Sequence, residues 1–285
     1  MKHRERMLPL LEVLKRTTAY FEKAGVENPR AQTEWLMAHA IGCRRLDLFV
    51  RFDTPLTDEL LEKLRPLVKR RAMREPLQYI LGTTPFHELT LRCDRRALIP
   101  RPETEQLVEE IALRFPTPPA RVLDLGTGTG AIALSLAKIW PAADLTALDA
   151  SADALALAAE NAAANGLDGR VRLIRSDWFE NVDGRFDLIV SNPPYLTLAE
   201  WESAAPEVKN HEPYEALVAE NEGLADLEMI LRDARDHLEP GGTVFLETGI
   251  AQHAALEKLA TQLGYAESEG LRDLSKRPRF FRAKK

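Results

Sequence analysis

Apolar positions along the chain follow two different periods. Through the first 75 residues they recur every three or four places, the spacing of amphipathic helices. "MLPLLEVLKRTTAYFEKAG" sets Leu8, Leu11, Leu14, Thr18 and Phe21 on one face, with Gly25 as a C-cap. Asn28-Pro29 predicts a second start, Asn as cap and Pro in the first turn. That helix carries Trp35, Leu36 and Ile41 and stops at Gly42. A third helix opens at Thr57 with Leu60, Leu61, Leu64, Leu67 and Val68 apolar, and Pro66 is expected to bend or divide it. Short helices that each bury one stripe make a small bundle.

Alternation around Leu89, Leu91 and Cys93 predicts a hairpin, after which "IPRPETE" breaks all periodicity as a rigid, charged connector. From residue 120 strands and helices alternate. "RVLDLG", "DLTALDA", "VRLIRSD", "FDLIVSN" and "GGTVFLETG" are strands. "GAIALSLAKIW", a segment capped by Ser151, and stretches near 223–238 and 251–263 are helices. This order predicts a parallel α/β sheet covered by helices on both faces. The tail "LRDLSKRPRFFRA" supplies a final antiparallel strand at or near an edge. The expected domains are 1–85, helical; 86–105, hairpin and connector; and 106–285, the α/β domain.

The net charge of −6 conceals a split. Residues 1–75 hold 16 Lys/Arg against 11 Asp/Glu, and the remainder holds 22 against 33. Two modules facing different partners would give this asymmetry, as would chance placement of surface charge. The acidic larger part speaks against a general nucleic-acid binder. Cys43 and Cys93 build no disulfide framework and have no metal-ligand spacing. No apolar run reaches the ~18 residues a membrane helix needs, so a cytoplasmic protein is expected. The basic run Lys69, Arg70, Arg71 and Arg74 reads as a solvated helix face or a contact for an acidic partner or RNA.

Candidate chemistry gathers where strands end. Gly126, Thr127, Gly128, Thr129 and Gly130 link the first strand of the sheet to its first helix. Glycine there lets backbone approach a ligand, and the helix N-terminus offers free N–H donors. Asp149 ends the second strand and can accept both hydroxyls of a ribose, or cap the helix at Ser151. Asp177 and Trp178 end the third, a carboxylate for an adenine amine and an indole to cover the base. Asn192, Pro193, Pro194 and Tyr195 end the next strand, expected to neighbour the first. The Asn192 side-chain oxygen and the Pro193 carbonyl can accept both hydrogens of a planar –NH2 group, with Tyr195 stacked on it. That pair favours a pyramidal nitrogen whose lone pair attacks a methyl on a sulfonium.

"DLGTGTG", Asp149, "SDW" and "NPPY", in this order, resemble a class I S-adenosylmethionine-dependent methyltransferase. With "EPLQYILG" and "LIPRPETE" added, nearly the whole chain resembles the release factor glutamine methyltransferases, the PrmC/HemK family. The resemblance implies a Rossmann-like seven-stranded sheet with a helical N-terminal domain that recognises the protein substrate. It implies methyl transfer to the glutamine amide of the GGQ motif in peptide chain release factors. By it, Gly126 to Gly130 hold the methionine end of S-adenosylmethionine, Asp149 its ribose and Trp178 its adenine, with Asn192 through Tyr195 on the substrate glutamine. A monomer with no direct nucleic-acid partner, no membrane and no metal is expected. Alternatives are a ribosomal-protein glutamine methyltransferase and an adenine amino methyltransferase acting on nucleic acid. A non-catalytic binding module and a nicotinamide dehydrogenase fit less well. Two places depart from the family pattern: "VAENEGLADL", where a glycine-containing acidic turn is usual, and Lys276, where glycine is expected.

Overall fold

The computed structural model describes residues 8–285; Met7, where the first expected helix begins, lies outside them. The chain forms two units, divided between Gly82 and Thr83. The first unit is helical: α1 (Leu10–Lys23), α2 (Pro29–Ile41), α3 (Asp58–Ala72) and α4 (Leu77–Leu81). Its core joins Leu10, Leu14, Phe21, Leu36, Met37, Leu48 and Leu64.

The buried stripes differ in detail from the expected ones. α1 buries Leu10, Val13, Leu14, Thr17 and Phe21, so Leu10 and Thr17 turn inward where Leu11 and Thr18 were expected. Backbone hydrogen bonds from Leu10 N to Thr54 O (2.9 Å) and from Leu56 N to Leu8 O (2.9 Å) pin the entry to this helix. Asn28 does not cap α2 through its side chain; it adopts a left-handed conformation, and Pro29 alone marks the start. Trp35 stands 41% exposed. Pro66 does not divide α3, which runs unbroken from its Thr57 cap.

Lys69 of the basic run is exposed, but its three arginines are paired within the unit. Arg71 is buried, donating to Gln32, to the Glu75 carbonyl and to Glu207 Oε1 (2.6 Å). Arg74 grips both oxygens of Glu207, at 2.7 and 2.6 Å, and Arg70 takes Glu75. Glu207 lies in the short helix Pro206–His211, which belongs to this first unit although it follows 123 residues of the second. Burial alone would raise its carboxyl, but the hydrogen bonds from Arg74 and Arg71 outweigh that and hold it at about 2.

In the second unit, β1 (Thr83–Phe86) and β2 (Leu89–Arg92) form the antiparallel hairpin, with His87 at positive φ in its turn. The expected 86–105 connector does not run to its end: "PETE" is the first turn of α5 (Pro102–Arg114), with proline at the helix start and acidic residues favoured by the helix dipole. β3 (Arg121–Leu125), α6 (Ala131–Ile139), β4 (Asp144–Asp149), α7 (Ala152–Ala164), β5 (Val171–Arg175) and β6 (Phe186–Ser191) follow. Then come α8 (Ala225–His237), β7 (Leu238–Glu247), α9 (His253–Leu263), β8 (Glu267–Arg272) and β9 (Pro278–Lys284).

The seven-stranded sheet has the order β5-β4-β3-β6-β7-β9-β8, parallel from β5 to β7, with β9 antiparallel beside both β7 and β8. Successive residues of the central strands feed opposite faces, as a pleated strand requires. Val122, Leu188, Val190 and Phe245 pack with α5, α6 and the hairpin. Leu123, Leu125, Ile189 and Leu246 pack with α8 and α9. Strand order reverses at β3/β6, the point where an open α/β sheet leaves a crevice at its carboxyl edge. Among the described residues no helix is long and apolar enough to cross a membrane.

Replacing Glu207 with Ala takes the carboxylate from the buried Arg71 guanidinium, which keeps only the neutral acceptors Gln32 and the Glu75 carbonyl, and from Arg74. The expected loss is about 3 kcal/mol in a denaturant titration following the helical unit. Glu59→Ala, which breaks an exposed pair with Lys63, is the control and should cost under about 1 kcal/mol. Equal losses from the two would mean that Glu207 is an ordinary surface partner.

Candidate active site

A cavity of about 590 Å³ opens at that carboxyl edge, in the size range of small-molecule sites. Ten of the twelve residues singled out in the sequence line it: Gly126, Thr127, Gly128, Thr129, Asp149, Asp177, Trp178, Asn192, Pro193 and Pro194. Gly130 and Tyr195 do not.

The loop after β3 is shaped by left-handed glycines at 126, 128 and 130. A Cβ on Gly126 would stand 3.9 Å from the Trp178 ring and one on Gly128 3.7 Å from the Ala97 methyl, both cavity residues. Gly130 serves packing instead, since a Cβ there would meet Leu134 at 3.0 Å and Ala158 at 3.3 Å. Beneath the loop Asp124 is fully buried, its Oδ2 accepting from the Thr127 hydroxyl (2.6 Å) and Ala133 N (3.2 Å), while Oδ1 has no partner among the described residues. Burial pushes its carboxyl up to about 7, partly countered by those two donors.

Asp149 accepts Gly128 N at Oδ2 and Ser151 N at Oδ1, each at 2.9 Å, so it braces the glycine loop while each oxygen keeps a free lone pair. Helix capping falls to the Ser151 hydroxyl, which accepts Ala154 N at 3.2 Å. Burial raises the Asp149 carboxyl against the pull of the two amides. Trp178 sits at φ 44°, a strained conformation for a bulky residue. Ser176 secures that turn, donating to the Trp178 carbonyl (2.7 Å) and accepting Asn181 N (2.9 Å). Asp226 joins the same wall, its carboxyl raised by burial and then by Asp177 and Glu220.

Asn192 follows β6, which pairs with β3 as expected. Its Nδ2 donates to the Thr104 hydroxyl at 3.1 Å, and Thr104 donates to Glu247 Oε2 at 2.7 Å. Tyr195 does not match the expectation of a ring stacked in the cavity. Its hydroxyl donates to Glu247 Oε1 at 2.9 Å, its ring packs on the α8/α9 side, and Arg279 lies 5.7 Å from the ring centroid. Burial, then the Glu247 charge, raises its phenol above the usual range. The sequence reading missed Thr104, Glu247, Asp124, Asp226 and Arg101. Arg101 lines the cavity and donates to buried Glu212 at 2.6 Å. A usable signal existed for Glu247, an acid closing the otherwise apolar strand "TVFLE".

Both places that depart from the family pattern hold non-glycine residues in the left-handed region. Asn221 and Glu222 have φ 51° and 54°, and Lys276 has φ 63°. Next to the first pair, Gly223 cannot be replaced freely. A Cβ there would overlap the Tyr195 carbonyl oxygen and stand 2.7 Å from Gln252 Nε2. Gln252 Nε2 in turn donates to that carbonyl at 2.9 Å, so the 220–223 turn buttresses the end of "NPPY".

The residues present fit an adenosyl cofactor: a glycine loop held in the left-handed region, a carboxylate with free acceptor sites, and an indole, all on one cavity. Two family profiles match, the PrmC N-terminal domain over residues 12–82 and the methyltransferase small domain over 103–207. The hMettl16 catalytic domain, solved with the MAT2A 3′UTR hairpin 6, aligns at TM-score 0.57 and 17% identity, over 73% of this chain and 80% of its own. The Thermus thermophilus 16S rRNA N2 G1207 methyltransferase, solved with AdoMet and guanosine, aligns at 0.52 and 21%, over 71% of this chain and 49% of its own. Fold and site together define a class I S-adenosylmethionine-dependent methyltransferase.

The release factor glutamine methyltransferase of Geobacter sulfurreducens is 43% identical over 94% of this chain and 93% of its own length. Those of Salmonella typhimurium and Escherichia coli K12 are 42% and 40% identical, each over 87% of this chain and 89% of their own. The chain belongs to the release factor glutamine methyltransferase family.

Two tests follow from the geometry. Gly223→Ala should lower stability by about 2–3 kcal/mol in thermal melts, because either the Tyr195 carbonyl or the turn must move; an unchanged melting curve would show that the turn yields freely. Asp124 gives a pH test. Its proton is held more tightly folded than unfolded, so its contribution to stability is full below about 4 and fades as pH rises through about 7. Asp124→Asn removes that titration. The stability of Asp124→Asn relative to wild type should therefore rise by about 2–3 kcal/mol between pH 5 and pH 8 in urea titrations of the unliganded protein. A pH-independent difference would place the Asp124 carboxyl in the ordinary range.

Proposed function

We propose that this protein methylates the side-chain amide nitrogen of the glutamine in the GGQ motif of peptide chain release factors, in the cytoplasm and as a monomer. The observation that carries the reading is the single cavity in which a neutral side-chain amide and a proline carbonyl, Asn192 and Pro193, share a wall with the glycine loop and Asp149. The relatives named release factor glutamine methyltransferase, at 40–43% identity over most of both chains, support the choice of substrate. We assign the ribose to Asp149, the adenine to Trp178 with Asp177 and Asp226, and the methionine end to the loop 126–129.

When bound, S-adenosylmethionine supplies an electrophilic methyl group. Asn192 Oδ1 and the Pro193 carbonyl accept one hydrogen each from the substrate –NH2. That draws the nitrogen lone pair out of conjugation and aims it at the methyl. Transfer would form a nitrogen–carbon bond at the expense of the methyl group's carbon–sulfur bond, whose electron pair would stay on sulfur. The amide proton, made acidic by the new bond, departs without a strong base. Holding the reactants aligned can supply roughly 7–11 kcal/mol of the barrier. Prolines on each acceptor keep them from reorganising, the condition for electrostatic preorganisation. The helical unit, with its excess of Lys/Arg in the first 75 residues, is assigned to recognition of the protein substrate.

Mass spectrometry of purified release factor after incubation with the protein and S-adenosylmethionine tests the reading: a gain of one methyl on the GGQ glutamine is expected. Asn192→Ala should slow single-turnover transfer about a hundredfold or more while cofactor affinity changes little. A near-wild-type rate would reduce "NPPY" to a rigid strand exit.

A further inference from the structure

A side-chain amide can be turned end for end with little change in shape, presenting either an acceptor or two donors. Methyl transfer as derived above needs the acceptor. A flipped Asn192 would set its own NH2 against the substrate NH2, donor against donor. Something other than shape must choose between the two orientations.

We propose that Thr104 and Glu247 are positioning residues that hold the Asn192 amide with its NH2 toward the protein and its oxygen toward the substrate nitrogen. This rests on the reading of Asn192 given above. The argument is one of counting protons. Thr104 has a single hydroxyl proton, and at 2.7 Å it is committed to Glu247 Oε2. The Thr104 oxygen can then only accept, and the group offered to it is Asn192 Nδ2 at 3.1 Å. The direction of the chain is set at its far end, because an ionised carboxylate can only accept.

The second oxygen of Glu247 is engaged in the same sense. The Tyr195 hydroxyl donates to Oε1 at 2.9 Å, and its own oxygen accepts from Arg279 Nη1 at 3.3 Å. Burial raises the Glu247 carboxyl, countered by the hydrogen bonds from Thr104 and Tyr195 and then by the Arg279 charge; with both oxygens already accepting hydroxyl protons, the geometry is that of a carboxylate. Glu247 has no exposed surface and does not line the cavity. It reaches the substrate through Thr104 and Asn192, not by contact. Thr104 is contributed by α5 and Glu247 by β7, and they clamp the exit of β6 from two sides.

The test compares Thr104→Val, Thr104→Ser and Glu247→Gln in single-turnover transfer to purified release factor, with cofactor affinity by calorimetry and melting temperature alongside. Thr104→Val keeps the shape and removes the hydroxyl. Glu247→Gln offers an NH2 to Thr104, whose proton is then free to point at Asn192 and admit the flipped amide. Both should lower the saturated rate about 10–100-fold, the size of loss seen for outer-shell partners elsewhere, with KM and cofactor affinity within about threefold of wild type. Thr104→Ser, which keeps the proton, should stay within about threefold. Because Thr104 acts through Asn192, adding Thr104→Val to Asn192→Ala should cost nothing further. Full activity of Thr104→Val, or an undiminished extra loss in the double variant, would overturn the positioning role while leaving the function standing. No transfer by the wild-type protein would overturn both.

Discussion

Register across the parallel strands is the constraint on which the site depends. Leu125 of β3 lies level with Leu148 of β4 and Ser191 of β6, and Ser191 lies level with Leu246 of β7. Asp149 and Glu247 close β4 and β7, and Gly126 and Asn192 are the first residues past β3 and β6, so all four sit in the row of strand exits at the carboxyl edge. Ladder hydrogen bonds and two buried faces fix this row, since a slip of one residue would carry every apolar side chain to the wrong face. Ser191 adds a lock of its own, its hydroxyl donating to the Leu125 carbonyl at 2.8 Å. The strands that carry Asp149, the glycine loop, Asn192 and Glu247 are thus successive neighbours, each about 4.8 Å from the next.

That edge gathers burial cost. Asp124 and Glu247 are wholly buried, Asp149 mostly so, and burial raises all three carboxyls. Trp178 adds backbone strain beside them. The core has the means to hold such groups: Val122, Leu123, Leu125, Leu188, Ile189, Val190, Leu246 and Phe245 are essentially inaccessible to solvent on the same strands. Each fully buried aliphatic or aromatic side chain contributes about 1.5–3 kcal/mol. Strain and perturbed carboxyls collected at one edge of a well-packed sheet are what a functional site looks like energetically.

The sequence was legible where meaning is local. A glycine loop between strand and helix, an acid closing a strand and "NPPY" after an apolar run each carry their chemistry within a few residues, and ten of twelve such residues reach the cavity. What escaped was polar pairing between distant segments. Nothing in the spacing near residue 71 announces Glu207, 136 positions away, and nothing near Thr104 announces Glu247, 143 positions away. Tyr195 was misplaced for the same reason: an aromatic at a strand exit can face the cavity or the core, and the buried carboxylate that decides the matter is remote in sequence. Helix stripes shifted by a residue because the pinned entry of α1, not its period, sets its rotation.

The surroundings of Asn192 also account for its being an amide and not an acid. An aspartate there would lose the N–H that satisfies Thr104, and would stand one hydroxyl away from the buried Glu247. Carboxylates so close cannot all ionise cheaply, so one would take up a proton. A protonated acid is again a donor, the wrong polarity toward a substrate –NH2. A neutral amide escapes this: one end satisfies the protein network and the other accepts, with no titration between them. The proposed reaction needs an acceptor of fixed direction and weak basicity, and among side chains of that length asparagine would supply it, with Thr104 and Glu247 settling which end faces in.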